Sequence, residues 1–200
     1  MARTDPRGGP ETRKRIAATA SRLFAERGFD GVTVAQVGEA AGVSSVTVFK
    51  YFPKKEDLYF DRADEIRELL LAALRGCGTR EEALAALGGL LLDLLDRNHP
   101  LSGTDERSTV FFATVAGSPA LLARARQLAA ESQHAMALSL ERDGFEGDAA
   151  LVAAFFTAGY SCVLTETATD LIAGSPREVL VERHRARIRR LLHALGNGVL

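Results

Sequence analysis

The chain has almost no signal for β-strands, and this restricts its fold more than any other feature of the sequence. Val and Ile rarely alternate with polar residues, whereas Ala, Leu, Arg and Glu, which suit helices, dominate long segments. Glycine and proline clusters divide the chain into about nine such segments. The pattern predicts an all-α protein, with three short helices near the N-terminus followed by a larger helical domain.

Charge is distributed unevenly along the chain. Residues 1–60 carry 10 Lys or Arg and 7 Asp or Glu, whereas residues 61–200 carry 15 and 19. The formal net charge of the 200 residues is -1, which excludes a protein that is basic throughout. The asymmetry indicates an N-terminal part that meets polyanions.

The cysteine content and the length of the apolar stretches indicate the cellular compartment in which the protein is expected. Cys77 and Cys162 are too few for a disulfide framework and have no metal-ligand spacing, so we expect reduced thiols, no metal and no cofactor. The first ten residues lack the apolar segment of a signal peptide. Uncharged stretches fall short of the roughly 20 apolar residues of a membrane span. We therefore expect a cytoplasmic protein without a membrane segment.

Residues 34–53 meet the requirements of a helix-turn-helix motif. Gly38 is small enough for two helices to cross closely, and Gly42 tolerates the positive φ of a tight turn. The second helix buries a narrow stripe, Val48 and Phe52, at an i, i+4 spacing. From spacing alone, an ordinary pair of helices in a bundle is the alternative.

The outward side of that second helix suits a DNA groove. An exposed branched or aromatic side chain is unfavourable on an ordinary surface, but it can contact a thymine methyl group. Hydroxyls and lysines reach base edges or phosphates, and lysines beside an aromatic ring form a positive rim for the phosphates. The predicted DNA-contacting residues are Ser44, Ser45, Val46, Thr47, Phe49, Lys50, Tyr51, Lys54 and Lys55.

A family resemblance runs through residues 33–58, which read TVAQVGEAAGVSSVTVFKYFPKKEDL, and through the upstream residues 25–31. Together they resemble the DNA-binding domain of the TetR family of transcriptional regulators, over about residues 11–60. The resemblance implies an all-α homodimer whose two reading heads bind a near-palindromic operator in double-stranded DNA. By position, it implies DNA contacts at Thr33, Ser45, Thr47, Phe49, Lys50, Tyr51 and Lys55.

Two positions depart from the family pattern. Phe49 stands where a tyrosine is common, which removes a hydroxyl that contacts phosphate in the family. Lys50 occupies a position that varies widely. Both affect the individual base contacts that the resemblance implies, but not DNA binding itself.

We expect three domains: a flexible arm over residues 1–10, a helix-turn-helix DNA-binding domain over residues 11–53, and a helical effector-binding and dimerisation domain over residues 54–200. The third domain is expected to begin with a long fourth helix, whose apolar stripe continues from Tyr59 to Ala73. Later helices are expected at residues 79–97, 104–116, 119–143, 149–173 and 176–196.

The last two of these helices carry more apolar residues than one buried face requires. An antiparallel pair that packs on its two-fold mate as a four-helix interface would use them, and the resemblance favours this homodimer. A wider core within a monomer is the alternative.

Polar residues that interrupt apolar helices point to a ligand cavity in the C-terminal part. The candidate ligand contacts are Phe111, Phe112, Gln133, Met136, Phe156, Tyr160, Cys162 and Glu166. A Phe or Met at helical spacing is more often core, and Glu166 could instead pair with an arginine or reach solvent. The basic run at residues 183–190 is either a second polyanion site or a solvated helix face.

The sequence thus predicts a transcriptional repressor that leaves its operator when a small-molecule effector of open identity binds. A regulator controlled by a protein partner is an alternative. A helical enzyme is another, but the sequence has no nucleophile–base constellation, no phosphate-binding glycine loop and no metal-ligand spacing. We therefore expect no catalytic residue.

Overall fold

The computed structural model describes residues 9–197, apart from the side chain of Glu106. Within this range the chain forms ten α-helices, one short 3-10 turn at Pro100–Ser102 and no β-strand, which confirms the predicted all-α fold. The helices are α1 (Pro10–Arg27), α2 (Val34–Ala40), α3 (Ser45–Tyr51), α4 (Lys55–Tyr59), α5 (Ala63–Leu74), α6 (Arg80–Asp96), α7 (Glu106–Gly117), α8 (Pro119–Arg142), α9 (Ala149–Ile172) and α10 (Arg177–Gly196).

The helices form two compact units, Met1–Ala63 and Asp64–Leu200. The boundary lies ten residues later than the predicted one because α4 packs against α1 and buries Leu58 in the first unit. Residues 1–8 of the predicted N-terminal arm lie outside the described residues, and Pro10 already belongs to α1.

The expected long fourth helix is wrong: α4 ends at Tyr59, and α5 begins at Ala63. The ring of Tyr59 lies 5.9 Å from that of Phe24 and 5.8 Å from that of Phe29, measured between centroids. Aromatic contacts of this kind stabilise the packing of α4 against the other residues of the first unit. The backbone of Phe60 then leaves the helical region, with φ -96° and ψ 40°.

The crossing of α2 and α3 follows the predicted motif. A Cβ atom on Gly38 would lie 2.9 Å from the carbonyl oxygen of Val43 and 3.2 Å from the backbone nitrogen of Ser45. The backbone N–H of Val43 donates to the carbonyl of Gly38 at 2.8 Å, and Gly42 turns the chain with a φ of 67°. Only a glycine allows two backbones to approach this closely.

One side of α3 packs into the core of the first unit. Val48 and Phe52 are fully buried, as predicted, together with the apolar stripe of α1. The remaining positions of α3 are thereby turned toward the surface.

The second unit is a helical bundle in which α9 packs against α7, α8 and α10, while α10 also packs against α6. Its core contains Leu74, Leu87, Met136, Phe156 and Ile188. The predicted bounds of α6 to α10 agree with the structure to within two residues. By length and composition alone, α9 is one described helix that could cross a membrane, and a single helix of this kind is weak evidence for a membrane protein.

Two glycines bring α10 close to its neighbours. A Cβ atom on Gly88 of α6 would lie 2.4 Å from Leu192 Cδ1, and a Cβ atom on Gly159 of α9 would lie 2.2 Å from Leu191 Cδ1. Consecutive leucines of α10 thus fill the space left by a glycine on each adjacent helix. This arrangement sets the register of α10 against α6 and α9.

A buried polar network also joins α9 to α10. Thr167 donates its hydroxyl proton to the carbonyl of Val163 at 2.8 Å, so it accepts the Nδ1–H of His184, also at 2.8 Å. Both side chains are fully buried. Burial, with a smaller contribution from the nearby charge of Arg187, lowers the pKa of His184 to about 4. The imidazole is therefore a neutral hydrogen-bonding group of the core.

Replacing Gly38 by alanine tests the close crossing of α2 and α3. We expect Gly38→Ala to destabilise the first unit by about 1–3 kcal/mol, because the new methyl group meets backbone atoms that cannot move without shifting α3. Urea unfolding and hydrogen exchange of the α2 and α3 amides measure the effect.

Gly89→Ala is the matched control, because Gly89 lies in the middle of α6 with no atom within 4 Å of the added Cβ. It should stabilise the chain by up to about 1 kcal/mol, as alanine does at open helical positions. An unchanged or slower hydrogen exchange of α2 and α3 in Gly38→Ala would contradict the account of the crossing.

Candidate nucleic-acid interface

Side-chain hydroxyls fix the start of both helices of the motif. Thr33 caps α2 in a reciprocal arrangement: its Oγ1 accepts from the backbone N–H of Gln36 at 3.2 Å, and its own N–H donates to Gln36 Oε1 at 2.8 Å. Ser44 caps α3 by accepting from the N–H of Thr47 at 3.1 Å, and the hydroxyls of Ser44 and Thr47 lie 2.9 Å apart. Thr33, Ser44 and Thr47, which are predicted to contact DNA, thus also stabilise the N-terminal ends of these helices.

The surface of α3 carries an exposed group of three side chains, Val46, Phe49 and Lys50. Val46 is 76% exposed and Phe49 is 48% exposed, which is far outside what an apolar side chain in a helical core would show. Their i, i+3, i+4 spacing puts all three on one face of α3. Lys50 forms no hydrogen bond or ion pair with any described residue, so its ammonium group is available to an anion.

Some residues of the predicted positive rim also make contacts that stabilise the fold. Tyr51 is half-buried, and its hydroxyl oxygen accepts the backbone N–H of Gly9 at 2.8 Å, which leaves the hydroxyl proton free to donate. Lys55 is half-buried with its Nζ 4.2 Å from the ring centroid of Phe29. Lys54 is exposed at the N-cap of α4, and Ser45 is half-buried at the first position of α3.

Two arginines of α1, for which sequence reasoning assigned no specific contact, hold the motif in place. The guanidinium group of Arg13 lies 4.7 Å from the ring centroid of Phe52 and donates to the carbonyl of Asp61 at 3.0 Å. Nε of Arg15 donates to the carbonyl of Ala41, the C-cap of α2, at 3.1 Å. A basic helix face has the same appearance in sequence whether it meets solvent, a phosphate or a distant carbonyl, so no local signal distinguishes these roles.

The candidate ligand contacts fall into three groups in the second unit. Met136 and Phe156 are fully buried in the core. Half-buried positions hold the side chains of Phe111, Phe112, Gln133 and Tyr160.

Cys162 and Glu166 lie on the exposed side of α9 instead. They are one turn apart, and the Glu166 carboxylate accepts Nε of Arg187 at 2.7 Å. The expectation that these two side chains line an interior cavity is therefore not met within the unit. The physical reason is that an ion pair with α10 holds the carboxylate at the surface.

The basic run of α10 is largely neutralised by acidic residues of the same unit. Arg187 also pairs with Asp170 at 2.8 Å, Arg183 pairs with Asp170 at 3.2 Å, and Arg185 pairs with Asp96 at 2.7 Å. Hydrogen bonding to Asp96 raises the pKa of Arg185. These pairs favour a structural function of the run over a polyanion site, although Arg189 and Arg190 are exposed.

Metal and thiol chemistry have little support in the residues that the structure describes. No group of three or more His, Cys, Asp or Glu side chains within residues 9–197 could hold a metal ion. Both cysteines are free, with Cys77 buried and Cys162 exposed. Burial raises the pKa of the Cys77 thiol, with smaller effects of Glu82 and Asp143, so the thiol is stabilised in its protonated form.

Comparison with known proteins shows what the motif is similar to. Residues 16–61 match the family described as bacterial regulatory proteins, tetR family. The chain is 36% identical over 75 residues to the HTH-type transcriptional regulator RutR of Escherichia coli strain K12, covering 38% of this chain and 35% of RutR. It is 33% identical over 96 residues to the HTH-type transcriptional regulator TcmR of Streptomyces glaucescens, covering 47% of this chain and 42% of TcmR. The matched segments thus span well under half of these curated relatives.

A solved structure extends the likeness beyond the motif. Thermus thermophilus FadR, a TetR-family transcriptional repressor in complex with lauroyl-CoA, superposes with a TM-score of 0.54 at 22% identity. The superposition covers 90% of this chain and 93% of FadR, so the shared property is the fold of both units. Residues 16–61 therefore match the family of bacterial regulatory proteins, tetR family, and the chain shares the all-helical fold of Thermus thermophilus FadR.

Proposed function

We propose that this protein is a sequence-specific DNA-binding transcriptional regulator, and that it acts as a repressor released from its operator by a small-molecule effector. It performs no catalysis in this proposal. Its site of action is the cytoplasm, where the operator lies. The observation that carries the proposal is the exposed group of Val46, Phe49 and Lys50 on α3.

The chemistry of this group matches that of a major groove. Val46 and Phe49 offer apolar surface to thymine methyl groups, and hydroxyls such as that of Thr47 can reach base edges. Lys50, together with Lys54, Lys55 and the hydroxyl proton of Tyr51, supplies donors for phosphates, which fix the position of the helix on the duplex. The caps at Thr33 and Ser44 present the backbone and hydroxyl groups of both helix N-termini to the same ligand.

We propose a homodimer formed through α9 and α10. Only 22% of the residues in the most apolar 18-residue window of α9 are buried within the chain, so most of this window is at least partly exposed. Small, uncharged side chains occupy most of its exposed positions, among them Ala150, Ala158 and Thr165, and they allow another helix to approach closely. Ile172 and Val179, at the turn between the two helices, are also exposed.

A two-fold dimer has the geometry that a palindromic operator requires. Two reading heads bind successive major grooves when they are about 34 Å apart, or a multiple of that distance. An effector that binds one spacing of the heads more tightly than another shifts the protein toward the spacing it prefers. The second unit, with the half-buried Phe111, Phe112, Gln133 and Tyr160, is the proposed effector-binding unit. The fold shared with the lauroyl-CoA complex of FadR supports this assignment.

Lys50→Ala tests the contact of α3 with phosphates. The salt dependence of DNA binding reflects counterions released by each neutralised phosphate, with a slope of about -0.9 for each contact. Loss of one contact from each head of a dimer should reduce the slope by about 2 and weaken binding roughly tenfold at low salt. Titration of a random-sequence duplex at several salt concentrations measures both quantities.

Arg97→Ala is the control for loss of a positive charge, because Arg97 is exposed in the second unit and pairs with Asp93 at 2.8 Å. It should leave the slope unchanged. The assignment of Lys50 to a phosphate contact fails if the Lys50→Ala and unaltered proteins give the same slope.

Ala158→Arg tests the dimer. A charged side chain at the centre of a symmetric helical interface would be buried opposite its own copy, so the variant should sediment as a monomer at concentrations where the unaltered chain is a dimer. Ala85→Arg introduces the same side chain at an exposed position of α6 and should remain dimeric. An unaltered chain that is monomeric at tens of micromolar, or an Ala158→Arg variant that dimerises normally, would rule out this interface.

A further inference from the structure

Exposed apolar side chains of the first unit are confined to α3. Among the described residues of this unit, Val46 and Phe49 are the only large aliphatic or phenylalanine side chains that are exposed, at 76% and 48%. The others, from Ile16 of α1 to Phe60 after α4, are buried or half-buried. Two such groups side by side on one short helix form an apolar surface that can bind an apolar group of a ligand.

The residues of α3 offer few hydrogen bonds that distinguish one base from another. Arg pairs bidentately with guanine, and Asn and Gln pair bidentately with adenine. None of these three residue types occurs in α3, which reads SVTVFKY. The hydroxyls of Ser44 and Thr47 lie 2.9 Å apart, and that of Ser44 caps the helix. A hydroxyl that remains free can donate or accept, so it fits either base of a pair.

Lys50 is the one charged side chain of α3, and the proposed function assigns its ammonium group to a phosphate. Every nucleotide carries the same phosphate oxygens, so this contact holds the helix on the duplex without selecting a sequence. The apolar side chains are therefore the groups of α3 that remain to select bases.

The apolar group that a major groove presents is the C5 methyl of thymine. Val46 and Phe49 are three residues apart, which is about 4.5 Å along the axis of α3, and their Cβ atoms are about 5–6 Å apart. Neighbouring base pairs are stacked about 3.4 Å apart. A helix that lies in the groove therefore brings these two side chains to base pairs that are adjacent or one apart.

We propose that α3 selects its operator through the C5 methyl groups of pyrimidines, and that Val46 and Phe49 contact two of them within three consecutive base pairs of each half-site. In unmodified DNA these methyl groups belong to thymine, and 5-methylcytosine carries the same group at the same place. The inference rests on the proposed function, because it requires α3 to lie in a major groove. Hydrogen bonds to base edges contribute less to the selection than the methyl groups do.

The size of the effect follows from the burial of one carbon atom. Each methyl group that is buried against an apolar side chain should increase the affinity about fourfold. A dimer reads both half-sites, so loss of the same methyl group from each should weaken binding about 15-fold. This contribution releases no counterion, in contrast to a phosphate contact, and it should be the same at low and moderate salt.

Two random duplex pools test the inference on the full chain, one that contains thymine and one that contains uracil in its place. Uracil pairs with adenine as thymine does and lacks only the methyl group. We expect the thymine pool to yield a near-palindrome with two thymines, in either strand, within three base pairs of each half-site. The same duplex synthesised with uracil at one symmetric pair of these positions should bind about 15-fold more weakly.

Cytosine at the same symmetric pair of positions gives a second test. Replacement of thymine by cytosine removes the methyl group and also changes the base pair. Methylation of that cytosine at C5 then restores the methyl group alone. The methylated duplex should bind about 15-fold more tightly than the unmethylated duplex, at low as well as moderate salt.

Val46→Ala and Phe49→Ala assign the contacts. Both side chains are exposed, so each variant should keep the unfolding temperature of the unaltered chain. Each should reduce the preference for thymine over uracil at one of the two positions and leave it unchanged at the other. Val110→Ala is the matched control, because it removes the same atoms from an exposed position of α7 in the second unit, and it should keep the preference at both positions.

Four results would overturn the inference: an enriched half-site without the two thymines, equal binding of the uracil and thymine duplexes, no effect of cytosine methylation, or a full preference for thymine in both α3 variants. Each of them leaves the proposed regulator intact, because an operator has still been enriched. Enrichment of no sequence from the thymine pool would instead contradict the proposed function, and the inference with it.

Discussion

The contact between the backbones of α2 and α3 is the constraint on which the rest of the first unit depends. The N–H of Val43 reaches the carbonyl of Gly38 at 2.8 Å, and no side-chain atom at Gly38 separates the two helices. This crossing turns Val48 and Phe52 into the core. Because successive helical positions point in fixed directions, burial of these two residues leaves Val46, Phe49 and Lys50 on the surface. The exposure of apolar side chains on α3 is thus a consequence of the crossing and not a packing defect.

Contacts from outside the motif hold this arrangement. Arg15 bonds the carbonyl at the end of α2, Arg13 covers the ring of Phe52 at the end of α3, and Tyr51 accepts the N–H of Gly9 at the start of α1. The first unit therefore uses some of its basic and aromatic residues for its own structure. Lys50 is different, because it has no partner among the described residues. Such an arrangement suits the proposed contact with DNA, because the free ammonium group can bind phosphates and the apolar side chains can contact bases.

Much of the fold could be predicted from the sequence, because periodicity and turn residues act locally. Gly38, Gly42, Val48 and Phe52 have the predicted positions, and the later helices begin and end close to the predicted residues. The break between α4 and α5 could not be predicted, because the apolar stripe continues through it. The break is associated with a tertiary contact of Tyr59 with Phe24 and Phe29. The orientation of α9 could not be predicted either, because a helix that is apolar on all sides has no periodicity that shows which side faces the core. Glu166 was therefore a candidate ligand contact with pairing to an arginine as the alternative, and the structure shows the alternative, a pair with Arg187 at the surface.

The two units carry complementary kinds of polar group. In the first unit, polar and charged groups project outward from a short, capped helix. In the second, ion pairs between α9 and α10 occupy the surface, and the hydroxyl of Thr157 is buried without a hydrogen-bond partner. The central claim is that a symmetric pair of α3 helices reads DNA. Selection of bound duplexes from a random pool tests it most directly. The account predicts enrichment of a near-palindrome whose half-sites are centred about one helical turn, or a multiple of it, apart. Recovery of no enriched sequence, at low as well as moderate salt, would contradict it.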